Sequence, residues 1–417
     1  MDAFVQLALV WTGVLIAVVL AKKTSLTPVL YYLMIGAVFI NVGLLPETPH
    51  EFVRGFAEIG IVLIMFAIGF EENVDQFLIS AKRSWGIAFF GAVAPFSVTY
   101  ALTWLFWHEF TISLIASLAM TATAVSLTLV VLRAEGLGSS LATTRIMTSA
   151  VLDDVATLAL VAILVPIAVS GEIPGVLELV MLVSKTIAFF LIISIAGFWI
   201  FPHAKPAWLS RFRMLRNLNF RHLLSFESGE YATLILLLLA LSVGILAHTF
   251  GFHPAIGAYM AGLILREEYF DYKESSNKYQ EVKKIIDNVA FVWIGPVFFV
   301  LLGSQLVFTW DVFVSLIPET AALTLCLIVA QVTSAGIAAR YTGGMLFAGS
   351  VMVGLGMLGR AELAFVVMDI AYVQNKILSD DAFYTLMFTA FWLNIAVPLS
   401  IRWWKPYYVK EQRDSGQ

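Results

Sequence analysis

Apolar runs separated by short polar connectors recur along the whole chain, and a helix that crosses a bilayer needs ~20 such residues. Thirteen runs fall near 4–21, 28–45, 52–69, 84–107, 110–132, 145–170, 175–201, 230–249, 253–266, 288–307, 314–339, 343–373 and 382–403. The ninth is short and the twelfth long, so their limits are the least sharply drawn. The first run leads directly into Lys22-Lys23 rather than a small-residue cleavage site, which marks a retained helix and not a signal peptide. The pattern predicts an all-α, polytopic membrane protein.

Composition agrees: the 417 residues are 60% hydrophobic and 13% charged, against about 45–50% and 25% in soluble chains. Cys326, the one cysteine, lies in an apolar run, so neither a disulfide framework nor a cysteine-based metal cluster is expected. Of the 25 basic residues, all but Arg54, Lys185, Arg360 and Lys376 fall in alternate connectors or in the C-terminal tail. One miscounted helix would invert every later connector and scramble this asymmetry. The positive-inside rule therefore places the N-terminus outside and the C-terminus in the cytoplasm.

No soluble domain fits between the runs. The longest interruptions, 202–229 and 267–287, read as cytoplasmic surface connectors, the second containing a short interfacial helix. The tail, 404–417, is too short to fold by itself, so a regulatory domain is not expected within this sequence. Two runs look broken. The fifth contains Thr121-Ala-Thr-Ala-Val-Ser-Leu-Thr128, whose hydroxyls can satisfy freed backbone groups; the twelfth contains Gly354-Leu-Gly-Met-Leu-Gly-Arg-Ala-Glu362. Residues 1–170 and 230–403 form two six-helix halves, with 175–201 as a linker helix, and each break is the fifth helix of its half. An offset of seven spans reverses direction in the membrane, so the halves are inverted repeats. Paired interrupted helices in such repeats point to a transporter's midplane site, although Thr, Ser and Gly also serve plain helix packing.

Asp153 and Asp154 sit in the middle of the sixth run. A carboxylate at the bilayer centre costs at least ~2.5–3.5 kcal/mol on insertion scales, so the pair must be offset by function or by a partner. The two side chains point about 100° apart on one helix and need not face the same cavity. Burial and a like-charged neighbour favour two coupled protonation steps. A site that loses its proton as a cation arrives is what antiport requires. No Lys or Arg lies in the interior of the same run, which weakens a purely structural reading for both acids.

Arg360 and Glu362 flank the second break. A guanidinium in hydrocarbon must meet an acid or exposed carbonyls, but residues two apart point to different helix faces. An interhelical partner, with Arg360 holding the broken helices together, is at least as consistent as a pair with Glu362. Asp369 lies two turns further on, where a structural role suffices. The histidines (His50, His108, His203, His222, His248, His253) all fall in connectors or at run ends, and His253-Pro254 suits a helix cap. Lys185 can snorkel, and the tryptophans mark interfaces. With no Walker loop, dinucleotide fingerprint or nucleophile elbow, the chain is not expected to be an enzyme or to need a cofactor. Coupling falls to an ion gradient.

Thr121–Thr128, Ser149-Ala-Val-Leu-Asp-Asp154, His253-Pro-Ala-Ile-Gly-Ala-Tyr-Met-Ala-Gly262, Pro296-Val-Phe-Phe-Val-Leu-Leu-Gly303 and Gly356-Met-Leu-Gly-Arg-Ala-Glu-Leu363 together resemble the monovalent cation:proton antiporter-2 family, with its NapA-type Na⁺/H⁺ and KefC-type K⁺/H⁺ members. The motifs cover nearly the whole chain in the family's order. The resemblance implies a homodimer in which a mobile core with crossed broken helices rocks against a dimerisation domain. It implies that Asp154 binds cation or proton, that Asp153 is the first acid of the NapA-type pair, and that Thr123 lines the site, with Ser126 and Thr128 in the same hydroxyl-rich break. Arg360 and Glu362 match the arginine–glutamate signature, though the usual intervening glycine is Ala361. One departure matters: NapA-type members pair the first aspartate with a lysine in the eleventh span, and Gln331 stands about there instead. That leaves Asp153 to stay protonated, turn to Arg360 or help bind the cation, and it leans the stoichiometry towards electroneutral exchange.

The expectation is a multi-pass antiporter of the inner or plasma membrane that exchanges Na⁺ or K⁺ for H⁺, with no nucleic-acid partner. A KefC-like K⁺ efflux pathway gated by a separate cytoplasmic partner is the alternative. An intramembrane aspartyl protease is remote, because its two aspartates must come from facing helices and no Gly-x-Gly-Asp accompanies this pair.

Overall fold

The computed structural model describes the chain except residues 1, 25, 72–73, 124, 139, 172–174, 201–222, 225, 271–277, 308–309, 361 and 416–417. His203, His222 and most of the connector after residue 201 therefore lie outside the described residues. The remainder is helical, without strands among the described residues.

In chain order the helices are α1 (Ala3–Thr24), α2 (Pro28–Asn41), α3 (Glu51–Glu71), α4 (Val74–Trp107), α5 (Phe110–Ala119), α6 (Val125–Ala134), α7 (Leu141–Ser170) and α8 (Val176–Ile200). There follow α9 (Ala232–Thr249), α10 (Pro254–Leu263), α11 (Lys278–Asn288), α12 (Gly295–Gly303), α13 (Trp310–Ser315), α14 (Ile317–Tyr341), α15 (Phe347–Gly356), α16 (Glu362–Asp369) and α17 (Asp380–Ser415). Every predicted run coincides with a helix or a succession of helices. Nine of the described helical segments are long and apolar enough to cross a membrane, and the protein is a multi-pass membrane protein.

Local chemistry sets several boundaries. Proline occupies the first position of α2 and of α10, where its fixed φ suits a helix and its missing N–H is not needed. His253 caps α10, its Nδ1 accepting from the Ala255 amide. Ser140 caps α7 by accepting from the Thr143 amide, and Gly171 ends that helix in the left-handed region at φ 71°.

Contacts divide the chain into two compact units. The first comprises Met1–Val14, Thr48–Val74 and Pro174–Leu301. Here α10 packs between α3 and α9 at backbone range. A Cβ on Gly69 would lie 2.1 Å from the Tyr259 carbonyl oxygen, and one on Gly262 2.4 Å from that of Phe66. Small residues that admit such approach supply the packing that hydrophobicity cannot provide between helices in lipid.

The second unit comprises Leu15–Glu47, Asp75–Ile173 and Leu302–Gln417. It holds both interrupted helices, α5/α6 and α15/α16. α5 packs on α7 and α16, α15 packs on α7, α14 and α17, and α17 also meets α6.

Two expectations are corrected. The interfacial helix foreseen within 267–287 is not separate from the tenth run: α11 passes through a π-helical stretch, Val289–Trp293, towards α12. Val282 and Ile286, one turn apart, are buried while Lys284 is exposed, so an amphipathic start simply extends the apolar helix. The tail after Trp404 is not an unfolded end either, since α17 continues to Ser415. Trp404 Nε1 donates to the Ala348 carbonyl at 2.9 Å. The Glu411 carboxylate accepts from the Ala348 and Gly349 amides, each at 2.9 Å, and so caps α15.

Candidate functional site

At the first break, α5 ends at Ala119 and α6 starts at Val125. The freed amide of Thr123 donates to Asp153 Oδ2 at 3.3 Å, and the Thr123 hydroxyl donates to the same oxygen at 2.8 Å. Asp153, 1% exposed, thus lies just ahead of the N-terminus of α6, where the helix dipole favours a negative group. Asp154, the next residue on α7, is half-buried. The helical step turns it into different surroundings, and it engages in interactions of its own.

The second break carries the opposite charge. Arg360, also 1% exposed, donates from Nη1 to the carbonyls of Met357 at 3.1 Å and Gly359 at 3.0 Å, just beyond the C-terminus of α15. Carbonyls released by a broken helix are the natural receptors for a buried cation. Its Nη2 donates to Gln331 Oε1 at 2.8 Å, and Gln331 Nε2 in turn donates to the Gly91 carbonyl of α4 at 3.1 Å. The glutamine side chain joins α4, α14 and the break. Arg360 and Asp153 are within electrostatic reach of one another. Asp153 Oδ1 and Arg360 Nε, both buried, have no hydrogen-bond partner among the described residues.

The two breaks meet directly. The Thr128 hydroxyl of α6 donates to the Gly356 carbonyl at the end of α15, at 2.6 Å. A Cβ on Gly356 would lie 3.1 Å from the Thr128 methyl and 2.5 Å from the Ile146 Cδ1, so a larger residue here would have to displace the Ile146 side chain. Of the residues singled out from sequence, Asp153, Thr123, Thr128, Gln331 and Arg360 converge here. Glu362 opens α16 and is half-buried, with interactions of its own. The side chain of Ser126 lies outside the described residues. Asp369 accepts from Gln374 Nε2 at 2.7 Å.

Asn394 is the residue that sequence reasoning passed over. It is 2% exposed on α17; its Oδ1 accepts from the Arg360 amide at 3.2 Å, and its Nδ2 donates back to the Arg360 carbonyl. A side-chain amide thus pairs with both faces of the unwound peptide, as a neighbouring strand would. The available signal was a lone asparagine inside an apolar run, since a buried polar group in a span needs partners.

Beyond the spans, Glu135 follows α6 and accepts from Lys405 Nζ at 3.0 Å and Arg402 Nε at 2.9 Å, both on α17. The Lys405 hydrogen bond, reinforced by Arg402 against a smaller effect of burial, holds its carboxyl below the usual range. A depressed acid stabilises the fold above its unfolded pKa, and that contribution fades as pH falls through the lowered value.

Two interrupted helices held break to break, with a buried carboxyl at one and a guanidinium at the other, are an arrangement that ion-coupled secondary transporters use. Residues 10–404 match the family described as "Sodium/hydrogen exchanger, transmembrane", and the chain belongs to that family. It is 26% identical over 402 residues to the Na(+)/H(+)-K(+) antiporter GerN of Bacillus cereus, covering 96% of each chain. It is 24% identical over 369 residues to the Na(+)/H(+) antiporter of Enterococcus hirae, covering 86% of each. Among solved structures, the sodium proton antiporter MjNhaP1 of Methanocaldococcus jannaschii superposes with a TM-score of 0.66 at 14% identity, over 97% of this chain and 96% of that one. At that identity the likeness is one of fold.

Proposed function

We propose that the protein is a secondary antiporter that exchanges cytosolic Na⁺ or K⁺ for external H⁺, with cation and proton competing for Asp154. The observation that carries this reading is the unequal setting of the acid pair. Asp153 is enclosed and engaged by Thr123 within reach of Arg360, whereas Asp154 is half-exposed on the same helix. An exchange site must be reachable from water, and a counter-charged acid beside it need not be. The names of GerN and of the Enterococcus hirae relative support antiport and leave both cations in play.

The protein works by alternating access in the inner or plasma membrane, with its N-terminus outside and its C-terminus in the cytoplasm. The two inverted halves and a homodimer provide the moving and fixed parts. Arg360 is a guanidinium, always charged, and Gln331 does not titrate. One carboxylate then alternates between one cation and one proton, so the cycle moves no net charge.

Purified protein in liposomes tests this. Imposed Na⁺ or K⁺ gradients should drive internal pH changes that an imposed membrane potential does not alter. Gln331→Lys adds a titratable base beside Arg360 and should render exchange sensitive to potential; an unchanged response would refute the equivalence between Gln331 and the lysine position. A second reading, K⁺ efflux gated by a separate cytoplasmic partner, draws on the likeness to the glutathione-regulated potassium-efflux protein KefC of Cronobacter sakazakii. That match is 24% identical over 295 residues and spans 44% of KefC. Capture of a soluble subunit that switches K⁺ flux on or off would favour it.

A further inference from the structure

The last helix carries features that ion exchange does not use. α17 continues past its apolar run because one face is fastened. Tyr408 is buried, and its hydroxyl accepts from the Ala142 amide at 3.4 Å and from Gln412 Nε2 at 2.7 Å. Glu411 beside it caps α15. This seating fixes what the outer face presents.

Two hollows flank that outer face. One, of about 520 Å³, is lined by Arg402, Lys405, Lys410 and Arg413 with Asp414 as its acid. The other, of about 500 Å³, is lined by Leu346, Phe347, Trp404 and Tyr407, and the two share Lys410 and Asp414. Arg402 and Lys405 are committed to Glu135. Lys410 and Arg413 make no ion pair or hydrogen bond among the described residues. Phe347 is 60% and Tyr407 54% exposed. Uncommitted cations next to an exposed aromatic and aliphatic shelf, at the end of a membrane-spanning helix, match a ligand that is anionic at one end and apolar at the other. Aromatic side chains settle at headgroup depth, and juxtamembrane Lys and Arg attract anionic lipids.

We infer that the C-terminal end of α17 binds an anionic phospholipid, its phosphate held by Lys410 and Arg413 and its glycerol and upper acyl region resting on Phe347, Trp404 and Tyr407. The inference rests on the cytoplasmic placement of the C-terminus proposed above, but not on ion exchange. Lipid at this position bears on transport, because the same helix caps α15 through Glu411 and holds the end of α6 through Glu135. Occupancy fastens one half of each broken helix to the membrane surface.

The test is thermal unfolding of the purified full chain in detergent with added phosphatidylglycerol, phosphatidylcholine or inorganic phosphate. Phosphatidylglycerol should raise the melting temperature by several degrees, while the other two leave it unchanged. The Lys410→Gln/Arg413→Gln variant should melt like the wild type without lipid, keep exchange in phosphatidylcholine liposomes, and lose most of the phosphatidylglycerol shift. Single variants should lose part of it. Equal stabilisation by phosphatidylcholine, or an undiminished shift in the double variant, would overturn the site. Equal stabilisation by inorganic phosphate would reduce it to a phosphate site and overturn the lipid. Loss of ion exchange with the lipid shift intact would count against the antiporter alone.

Discussion

Asp154→Asn is expected to yield a protein that inserts, folds and melts like the wild type and exchanges no cation for protons. The substitution keeps the shape of the side chain but removes the carboxylate proposed to alternate between a proton and a cation. Asp153→Asn should behave differently. An asparagine oxygen can still accept from the Thr123 amide and hydroxyl, so the break survives, and exchange persists with reduced rate or a displaced pH profile. Vesicle assays on the two variants separate the roles. Robust exchange by Asp154→Asn would remove Asp154 from the mechanism.

The second large effect concerns Arg360. Arg360→Gln strips partners from the Met357 and Gly359 carbonyls and from Gln331, and removes the positive charge whose field reaches Asp153. Each buried acceptor left without its donor costs about 1–3 kcal/mol, enough over three acceptors to lower the melting temperature in detergent markedly. Arg360→Lys should be nearly as damaging, because an ammonium is a point charge that cannot reproduce the fork serving two carbonyls and an amide. The informative variant is Arg360→Gln combined with Asp153→Asn. If the two charges compensate each other, the double variant should be more stable than the sum of the singles requires, by about 0.5–3 kcal/mol. Strict additivity would show that the charges are independent.

Helices and breaks were legible because their signals are local. Each span is a continuous apolar run, and the interruptions announce themselves as hydroxyl- and glycine-rich stretches beside charges that a bilayer does not tolerate. The acid pair stood out for the same reason. Partner choice was not legible, because it depends on residues distant in sequence. Arg360 takes Gln331, 29 positions away, and Asn394, 34 positions away, rather than the adjacent Glu362, and nothing in local spacing distinguishes these. Gln331 attracted attention only through resemblance, as the residue standing where a lysine was expected.

The tail failed for a different physical reason. An isolated segment of this length is too short to fold, whereas a helix extended from an existing span needs no new nucleus, and Tyr408 and Glu411 supply tertiary anchors. The start of the tenth run is obscured in a similar way, since a polar stretch looks like a connector when it is the amphipathic start of the same helix. The assembly of the two units from interleaved segments, such as Leu15–Glu47 with Leu302–Gln417, has no local signature at all.

Competition at a single carboxylate has a kinetic signature that tests the central claim most directly: the apparent KM for Na⁺ or K⁺ measured in proteoliposomes over a range of pH. If proton and cation share Asp154, the fraction of transporters able to accept a cation falls tenfold per unit of pH below the site's pKa. Apparent KM should then rise about tenfold per unit while the maximal rate at saturating cation stays constant. A maximal rate that collapses with falling pH at unchanged KM would place the proton elsewhere and contradict the account.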